Sequence, residues 1–229
     1  MSAAIPLPPP VPGAGMAVPA RIGAYEVHGI IGTGSMGVVY LGYDPAIARR
    51  VAIKTIQRHL LAPDAQHQNA AARFRLEAQA AGRLNHRHIV SVYQFSEDPD
   101  NAFIAMEYVE GHSLVDYLAQ PQRLGRDEVL CLMFQLLDAL QYAHDAGVVH
   151  RDIKPANLMV DRDGRLKITD FGIARVESQQ LTRVNAVVGS PGYMAPEQVT
   201  GGPLDRRVDI FSAGVLLYQM LAGVLPFSG

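Results

Sequence analysis

Alternating apolar and polar positions, broken by glycines, fill the chain from Tyr25 to about residue 108. A period of two, rich in β-branched and aromatic residues, predicts strands. The predicted strands are residues 25–31, 38–43, 50–57, 89–95 and 102–108. Apolar residues recur at helical spacing over residues 70–84, which predicts one helix. We therefore expect the first half to be a small antiparallel sheet with one main helix.

The second half has mostly helical periodicity. Asp127 and Glu128 open a predicted helix that Gly147 ends. Its apolar positions recur at a period of 3.6 and are Val129, Met133, Leu136, Leu137 and Leu140. Residues 158–160 and 166–168 predict a hairpin around Asp163 and Gly164. Residues 209–222 predict a helix that is apolar on nearly all sides, and hence buried in the centre of this half. The fold class is therefore α+β.

The first 24 residues differ in composition from the rest. The prolines between Pro6 and Pro12 interrupt any apolar helix, and no basic start precedes them, so this segment is not a signal peptide. It predicts a disordered, proline-rich tail, with a ligand for a proline-recognising module as the alternative.

Composition narrows the class of protein. The 229 residues are 48% hydrophobic and 18% charged, as in ordinary globular proteins, with no apolar run long enough to span a bilayer. A net charge of -2 gives no strong attraction to nucleic acid or anionic membranes. Cys131 is the only cysteine, so an intrachain disulfide is impossible and a reducing, cytoplasmic setting is expected. We expect Cys131 to be a buried, inert thiol.

Two carboxylates, an amide and a lysine lie on two short loops that flank the predicted hairpin. Asp152, Lys154 and Asn157 precede the hairpin, and Asp170 follows it. Phosphoryl transfer from a metal-bound nucleotide needs this set of groups. One carboxylate can receive the proton of a hydroxyl, while the other carboxylate and the amide oxygen can hold a hard cation.

A glycine-rich segment, residues 32–39, lies between two predicted strands. Its glycines let the backbone approach phosphates closely, although a plain hairpin turn is an equally good interpretation of the segment alone. Lys54 ends an apolar strand and becomes a candidate phosphate ligand in this context. Glu77 is the acid that could fix Lys54, and a surface pair with Arg73 is the alternative.

Together these segments resemble the eukaryotic-type protein kinase family. The matching elements occur in the order of that family and are residues 32–39, 51–54, Glu77, 150–157, 170–172, 195–197 and Asp209. The lysine at position 154 resembles the one found in the serine/threonine branch of the family. The sequence of residues 152–157 most resembles that of bacterial members. The resemblance implies a bilobal fold over residues 25–229, with a sheet lobe at 25–109 and a helical lobe at 110–229.

The resemblance also implies roles for the candidate residues. Asp152 would orient a serine or threonine hydroxyl of a protein and accept its proton, and Lys154 would neutralise the migrating phosphoryl group. Asn157 and Asp170 would hold Mg2+, with Mn2+ as a second candidate. Lys54, tied to Glu77, would hold the phosphates of ATP.

The base of ATP would, by the same resemblance, lie between the lobes. Met106 resembles the gatekeeper, and the backbones of Glu107 and Val109 resemble the hinge. The remaining expected ATP contacts are the glycine-rich segment and apolar walls, comprising Ile31, Gly32, Gly34, Gly37, Val39, Ala52 and Met159. For the apolar residues, a role in the plain hydrophobic core is the alternative.

Regulation by phosphorylation is a further expectation. Arg151 could pair with a phosphate on the loop between Phe171 and Ala195, where Thr182 is the first candidate site and Ser178 the second. Self-association would then support autophosphorylation. His150 is expected to be structural, packing beneath Phe171, and His86 and His88 are expected to be ordinary loop histidines.

Two other functions remain as alternatives. Members of the family continue beyond the position of Gly229 with further helices, so the helical lobe is expected to be truncated, with its last helix exposing apolar surface. A catalytically weak or inactive fragment that acts as a scaffold is therefore the main alternative. A small-molecule phosphotransferase is disfavoured by Arg151 and by residues 195–197. A membrane anchor beyond Gly229 is left open.

Overall fold

The alternating segments of the first half form five antiparallel strands, and a short strand before them completes a sheet in the order β1-β2-β3-β4-β6-β5. Their bounds are Arg21–Ile22 (β1), Tyr25–Gly34 (β2), Gly37–Asp44 (β3), Arg49–Thr55 (β4), Val92–Glu97 (β5) and Ala102–Glu107 (β6). All five predicted strands are therefore confirmed. The fourth begins at Val92 rather than at residue 89 because Ile89 pairs elsewhere, in a bridge with Ile168.

The computed structural model describes residues 18–34, 37–55, 78–97, 102–171 and 191–227. The chain divides into two compact units, which are residues 1–82 with 91–109, and residues 83–90 with 110–229. Most of the predicted tail at 1–24 lies outside the described residues, but its end was wrongly predicted to be disordered, because Arg21 and Ile22 form β1 and pair with β2. Most of the predicted helix at 70–84 also lies outside the described residues, although residues 78–81 are helical.

The first unit buries one face of its sheet in a hydrophobic cluster. Tyr40, Ile53 and Ala105 are directly opposite one another on β3, β4 and β6, and all three are buried. Their neighbours in this cluster are Tyr25, Ile30, Val38, Val51 and Phe103. Because side chains alternate across a strand, the residues between these positions lie on the other face.

The second unit is mainly helical, with a three-stranded sheet in the order β7-β8-β9. The strands are Gly111–Ser113 (β7), Leu158–Asp161 (β8) and Leu166–Ile168 (β9), and the helices are Leu114–Leu118 (α1), Arg126–Asp145 (α2), Pro196–Thr200 (α3) and Arg207–Ala222 (α4). The predicted hairpin is confirmed as β8 and β9. Gly164 has a φ of +75° in its turn, a value that glycine adopts without strain.

The two predicted long helices are confirmed, but not all of their predicted burial. On α2, Leu137 is 40% exposed and Cys131 is exposed, so both were wrongly assigned to the interior. On α4, Ile210, Tyr218 and Leu221 form an exposed stripe while Leu216 is fully buried. The prediction that α4 is buried on nearly all sides was therefore wrong, because apolar character does not show whether another element covers a face. The separate prediction that the last helix exposes apolar surface is confirmed by these three residues.

Residues 83–90 are joined to β9 by backbone and side-chain hydrogen bonds. The Ile168 N–H donates to the His88 carbonyl and the Val90 N–H donates to the Ile168 carbonyl, both at 2.9 Å. The buried His88 ring donates through Nδ1 to the Leu166 carbonyl at 2.9 Å. Burial lowers the pKa of His88 below its ordinary value of 6.5, because the charged ring would lose its hydration.

A buried carboxylate on α4 holds the loop that precedes Asp152. Asp209 has no exposed surface, and its Oδ1 accepts the Arg151 N–H at 2.7 Å. Its Oδ2 accepts the His150 N–H and the His144 Nε2–H, both at 2.8 Å. The carboxylate therefore satisfies two buried backbone donors that no regular element satisfies.

In the part of the chain that the structure describes, no helix combines the length and the hydropathy needed to cross a bilayer.

We predict that the stability of the protein falls with pH below 6.5 in a manner that depends on His88. Since its pKa is lowered by folding, the unfolded chain binds the proton more readily, and stability is full above 6.5 and is lost as the pH falls toward the folded pKa. His88→Asn keeps an amide nitrogen near the Leu166 carbonyl without a titrating ring, so its acid-side decline in urea unfolding should be shallower. Parallel profiles for the two proteins would contradict this prediction.

We predict that Asp209→Asn destabilises the protein by about 1–3 kcal/mol, since one buried N–H of His150 or Arg151 then faces an amide nitrogen instead of an oxygen. Urea unfolding of both proteins measures the difference. Asp205→Asn is the matched control, because this acid pairs with Arg207 at the exposed start of the same helix. Equal midpoints for the two variants would show that the buried carboxylate is not the anchor.

Candidate active site

The loop after His150 brings three candidate residues together around one carboxylate. The Asp152 Oδ2 atom lies 2.7 Å from the Lys154 Nζ atom. Asn157 donates through Nδ2 to the same Oδ2 at 3.0 Å and to the Asp152 carbonyl at 2.7 Å. Both charged side chains keep roughly a quarter of their surface exposed, at 27% for Asp152 and 21% for Lys154. The carboxylate is thus oriented by its neighbours while remaining accessible.

A short 3-10 turn places Asn157 in this arrangement. The turn spans Pro155–Asn157, and the Asn157 N–H donates to the Lys154 carbonyl at 3.0 Å. Proline at its first position supplies the required φ and lacks an N–H that would have no partner there. Because the amide nitrogen of the buried Asn157 is used on Asp152, its oxygen Oδ1 is the atom that could contact a cation.

Asp170 is brought to this loop by the residue before it. The Thr169 N–H donates to the Asn157 carbonyl at 2.9 Å, so the segment that carries Asp170 is bonded directly to the turn. Asp170 itself has a φ of +51°, which is uncommon for a non-glycine residue. The backbone that carries Asp170 therefore lies beside the loop of Asp152, Lys154 and Asn157 within the second unit, and the roles of these residues stay predictions.

His150 connects the two loops through both of its ring nitrogens. Nε2 donates to the Thr169 carbonyl at 2.9 Å, and Nδ1 accepts the Asp152 N–H at 3.2 Å. The fully buried ring lies with its centroid 4.8 Å from that of Phe171. The expected packing against Phe171 is thus observed, and the hydrogen bonds show how the ring supports the loop.

Arg151 has a constrained backbone and an unpaired buried side-chain atom. Its φ of +65° lies in the left-handed region. Its N–H donates to Asp209, and its carbonyl accepts from Gln198 Nε2 at 2.8 Å. Within the described residues, its Nε atom is buried without a hydrogen-bond partner. A buried guanidinium nitrogen of this kind is suited to receive an anion.

In the first unit, five of the candidate ATP contacts share one face of the sheet. Gly32 is opposite Val39 in the β2–β3 ladder, and Val39 is opposite Lys54 in the β3–β4 ladder. Ala52, two residues before Lys54, is opposite Met106 on β6. This face is the reverse of the one that carries the Ile53 cluster. The five residues are therefore neighbours on a face distinct from that core. Ala52 is nevertheless buried, and Met106 packs against a second buried cluster formed by Ala78, Ala102 and Ile104.

The other candidates of the first unit lie at the ends and irregularities of the strands. Ile31 occupies a bulge in β2, and Gly34 and Gly37 flank residues 35–36, which lie outside the described part. The Glu107 N–H donates to the Ser91 carbonyl at 2.9 Å at the end of β6, and Val109 follows two residues later. In the second unit, Met159 is half-buried on β8.

Several predicted site residues fall outside the described residues. These are Glu77, the candidate phosphosites Thr182 and Ser178, and Gly172 after Phe171. Their roles therefore stay predictions.

The histidines that could suggest a metal pair have other contacts. His86 Nε2 lies 3.3 Å from Asp138 Oδ2, and its ring stacks on Tyr142 at 5.0 Å. Over the described ranges, no group of three or more His, Cys, Asp or Glu side chains could hold a metal ion. Asn157 and Asp170 fit a different arrangement, in which Mg2+ takes one or two protein oxygens and completes its shell with phosphates and water.

Sequence reasoning missed Gln198. Its side chain donates to the Arg151 carbonyl and accepts the Ala195 N–H at 3.0 Å. The only sequence signal was its place at the third position of a helix with proline at the first, where Gln or Glu often caps. That signal indicates the contact with Ala195 but not the contact with Arg151, which lies 47 residues away.

Comparison with known proteins gives a consistent result. The profile of the protein kinase domain matches residues 25–229. A probable serine/threonine-protein kinase of Streptomyces coelicolor is 43% identical over 222 residues, which cover 93% of this chain and 32% of that protein. The serine/threonine-protein kinase PrkC of Bacillus subtilis is 41% identical over 208 residues, which cover 90% of this chain and 32% of that protein. The serine/threonine-protein kinase pkn3 of Myxococcus xanthus is 42% identical over 213 residues, which cover 89% of this chain and 38% of that protein.

The chain thus spans about a third of the length of these relatives. Its match to the domain nevertheless extends from the first residue of β2 to the last residue of the sequence. These three bacterial serine/threonine-protein kinases carry a similar segment, at 41% to 43% identity. The chain belongs to the protein kinase domain family, and within it to the serine/threonine kinases of the bacterial branch.

Proposed function

We propose that this chain transfers the γ-phosphoryl group of ATP to serine or threonine hydroxyls of proteins. The observation that carries the proposal is the Asp152 carboxylate, which is held by Asn157 at 3.0 Å and paired with Lys154 at 2.7 Å. A partly exposed, oriented carboxylate beside an ammonium group suits a reaction in which a proton leaves a hydroxyl while negative charge moves past it.

Asp152 is the proposed proton acceptor. The hydroxyl of the protein substrate would donate to the Asp152 carboxylate, which orients the oxygen and receives its proton as the bond to phosphorus forms. Lys154 lies beside that carboxylate and would stabilise the charge of the migrating group. Asn157 fixes the carboxylate from its other side through Nδ2.

Four residues are proposed to hold the nucleotide and its metal. Lys54 on β4 would bind the phosphates, and Glu77 would fix Lys54. Asn157 Oδ1 and the Asp170 carboxylate would bind Mg2+, or Mn2+ in its place, because both cations prefer oxygen ligands. The metal, when bound, would supply neutralisation of the phosphate charge.

The base and the phosphate backbone have their own proposed contacts. Gly32, Gly34 and Gly37 would let the backbone approach the phosphates. The apolar walls would be formed by Ile31, Val39, Ala52, Met106 and Met159, with the backbones of Glu107 and Val109 bonded to the base. The shared sheet face of Gly32, Val39, Lys54, Ala52 and Met106 supports this assignment for the first unit.

Phosphorylation of the chain itself is proposed as its regulation. The buried, unpaired Arg151 Nε supports a phosphate partner for this guanidinium, with Thr182 as the proposed phosphosite and Ser178 as the second choice. One copy of the chain would phosphorylate another during transient self-association.

We predict that Asp152→Asn lowers phosphorylation of dephosphorylated casein by about 10²–10⁴-fold, since the amide cannot accept the proton. The measurement is label transfer from γ-labelled ATP with Mg2+. Asp163→Asn is the matched control, because it removes an exposed carboxylate from the turn between β8 and β9. Equal, background-level transfer by the unaltered chain and by Asp152→Asn would favour a non-catalytic scaffold.

We predict that the purified chain carries phosphate on Thr182 and that Asp152→Asn prepared in the same way does not. Mass spectrometry of the intact chain and of its peptides measures both. The expected result would establish a protein substrate as well as activity. Transfer to casein without any phosphate between residues 172 and 190 would retain the kinase but reject the proposed regulation through Arg151.

A further inference from the structure

The Gln198 side chain connects two distant backbone groups of the second unit. Its Nε2 donates to the Arg151 carbonyl at 2.8 Å, and its Oε1 accepts the Ala195 N–H at 3.0 Å. The first contact bridges 47 positions of sequence, and the second closes the start of α3. The half-buried amide thus joins the segment at Ala195 to the loop that carries Asp152.

The Arg151 carbonyl belongs to the peptide group that joins Arg151 to Asp152. The N–H of the same peptide group donates to His150 Nδ1 at 3.2 Å, and the preceding N–H donates to Asp209 Oδ1 at 2.7 Å. Three side chains from three elements of sequence therefore hold this stretch of backbone. Gln198 supplies the bond to the carbonyl of this peptide group, and His150 accepts from its N–H.

The backbone conformation of Arg151 makes that bond consequential. A non-glycine residue at a φ of +65° is strained and persists only where its surroundings impose that conformation. Rotation of the Arg151–Asp152 peptide group would break its bonds to Gln198 and His150 and disturb the backbone from which the Asp152 side chain extends. The donor from Gln198 opposes this rotation because the carbonyl would lose its partner.

We propose that Gln198 is a positioning residue for phosphoryl transfer, which acts by holding the Arg151–Asp152 peptide group and hence the direction of the Asp152 carboxylate. This inference rests on the proposed kinase function. It assigns to the residue after Glu197 a role in the rate of the chemical step, in addition to its role in capping α3.

A single substitution separates positioning from capping. Gln198→Glu keeps an oxygen that accepts the Ala195 N–H, since Glu serves at this helix position as well as Gln. It removes the donor to the Arg151 carbonyl and faces that carbonyl with a carboxylate oxygen instead. Val199→Glu is the matched control, because it adds the same charge one residue later on a side chain that is 57% exposed. Gln198→Met removes both contacts without adding charge.

Steady-state transfer from γ-labelled ATP to dephosphorylated casein gives kcat and KM for each variant. We expect kcat to fall about 10- to 100-fold in Gln198→Glu and Gln198→Met, because a small displacement of a catalytic group costs this much. The KM for ATP should stay within about threefold, since the lost contact acts on the chemical step. Val199→Glu should behave as the unaltered chain, and the melting temperature of Gln198→Glu should change by no more than about 4 °C.

Hydrogen exchange of the backbone provides a readout that does not need activity. Mass spectrometry of the peptide over residues 148–154 should show faster exchange in Gln198→Glu and Gln198→Met than in Val199→Glu. Unchanged kcat in Gln198→Glu, equal losses in Gln198→Glu and Val199→Glu, or unchanged exchange at 148–154 would each overturn the inference. Absence of transfer by the unaltered chain would instead reject the proposed function, and exchange would then decide the positioning role by itself.

Discussion

The candidate active site depends on one buried carboxylate, that of Asp209. It accepts three hydrogen bonds from His144, His150 and Arg151 and has no exposed surface. A carboxylate in this position would be costly without such donors, and the two backbone donors would be costly without the carboxylate. Because each side needs the other, these bonds hold the first turn of α4 against the loop of His150 and Arg151. These bonds hold the backbone of the two residues that directly precede Asp152.

In the first unit, strand register rather than a buried carboxylate determines where the candidate residues lie. There the period of two in β3, β4 and β6 assigns alternate residues to opposite faces of the sheet. Ile53 and its partners fill the buried cluster, while Lys54 and Ala52 lie on the other face beside Val39 and Met106. The candidate ATP contacts of this unit thus follow from strand register, whereas those of the second unit follow from individual hydrogen bonds between loops.

This difference explains what could be predicted from the sequence. Strand alternation identified all five predicted strands, and Gly164 and Gly147 correctly marked a turn and a helix end. The order of the matching motifs along the chain identified the protein kinase family. Burial was less predictable, because the apolar character of Leu137 says nothing about which element would cover it. Gln198 was missed for a related reason, since no local pattern encodes a contact with a carbonyl 47 positions away.

Backbone strain shows why the site requires the whole second unit. Arg151 and Asp170, on either side of β8 and β9, both have a positive φ, at 65° and 51°. Each such residue costs of order 1–3 kcal/mol, and a single neutral hydrogen bond returns only about 0.5–1.5 kcal/mol. A weak neutral bond does not offset the upper end of this cost, so several bonds hold such a conformation more securely than one.

At Arg151 several hydrogen bonds together offset the strain of the positive φ. The charged acceptor Asp209 contributes about 1.5–3 kcal/mol, and the bonds from Gln198 and to His150 add to it. These contacts come from α4, from α3 and from the loop itself, so an isolated peptide of residues 148–157 would lack two of the three bonds. The direction of the Asp152 carboxylate is consequently a property of the tertiary structure, and the short motif that contains it specifies the chemistry but not the geometry.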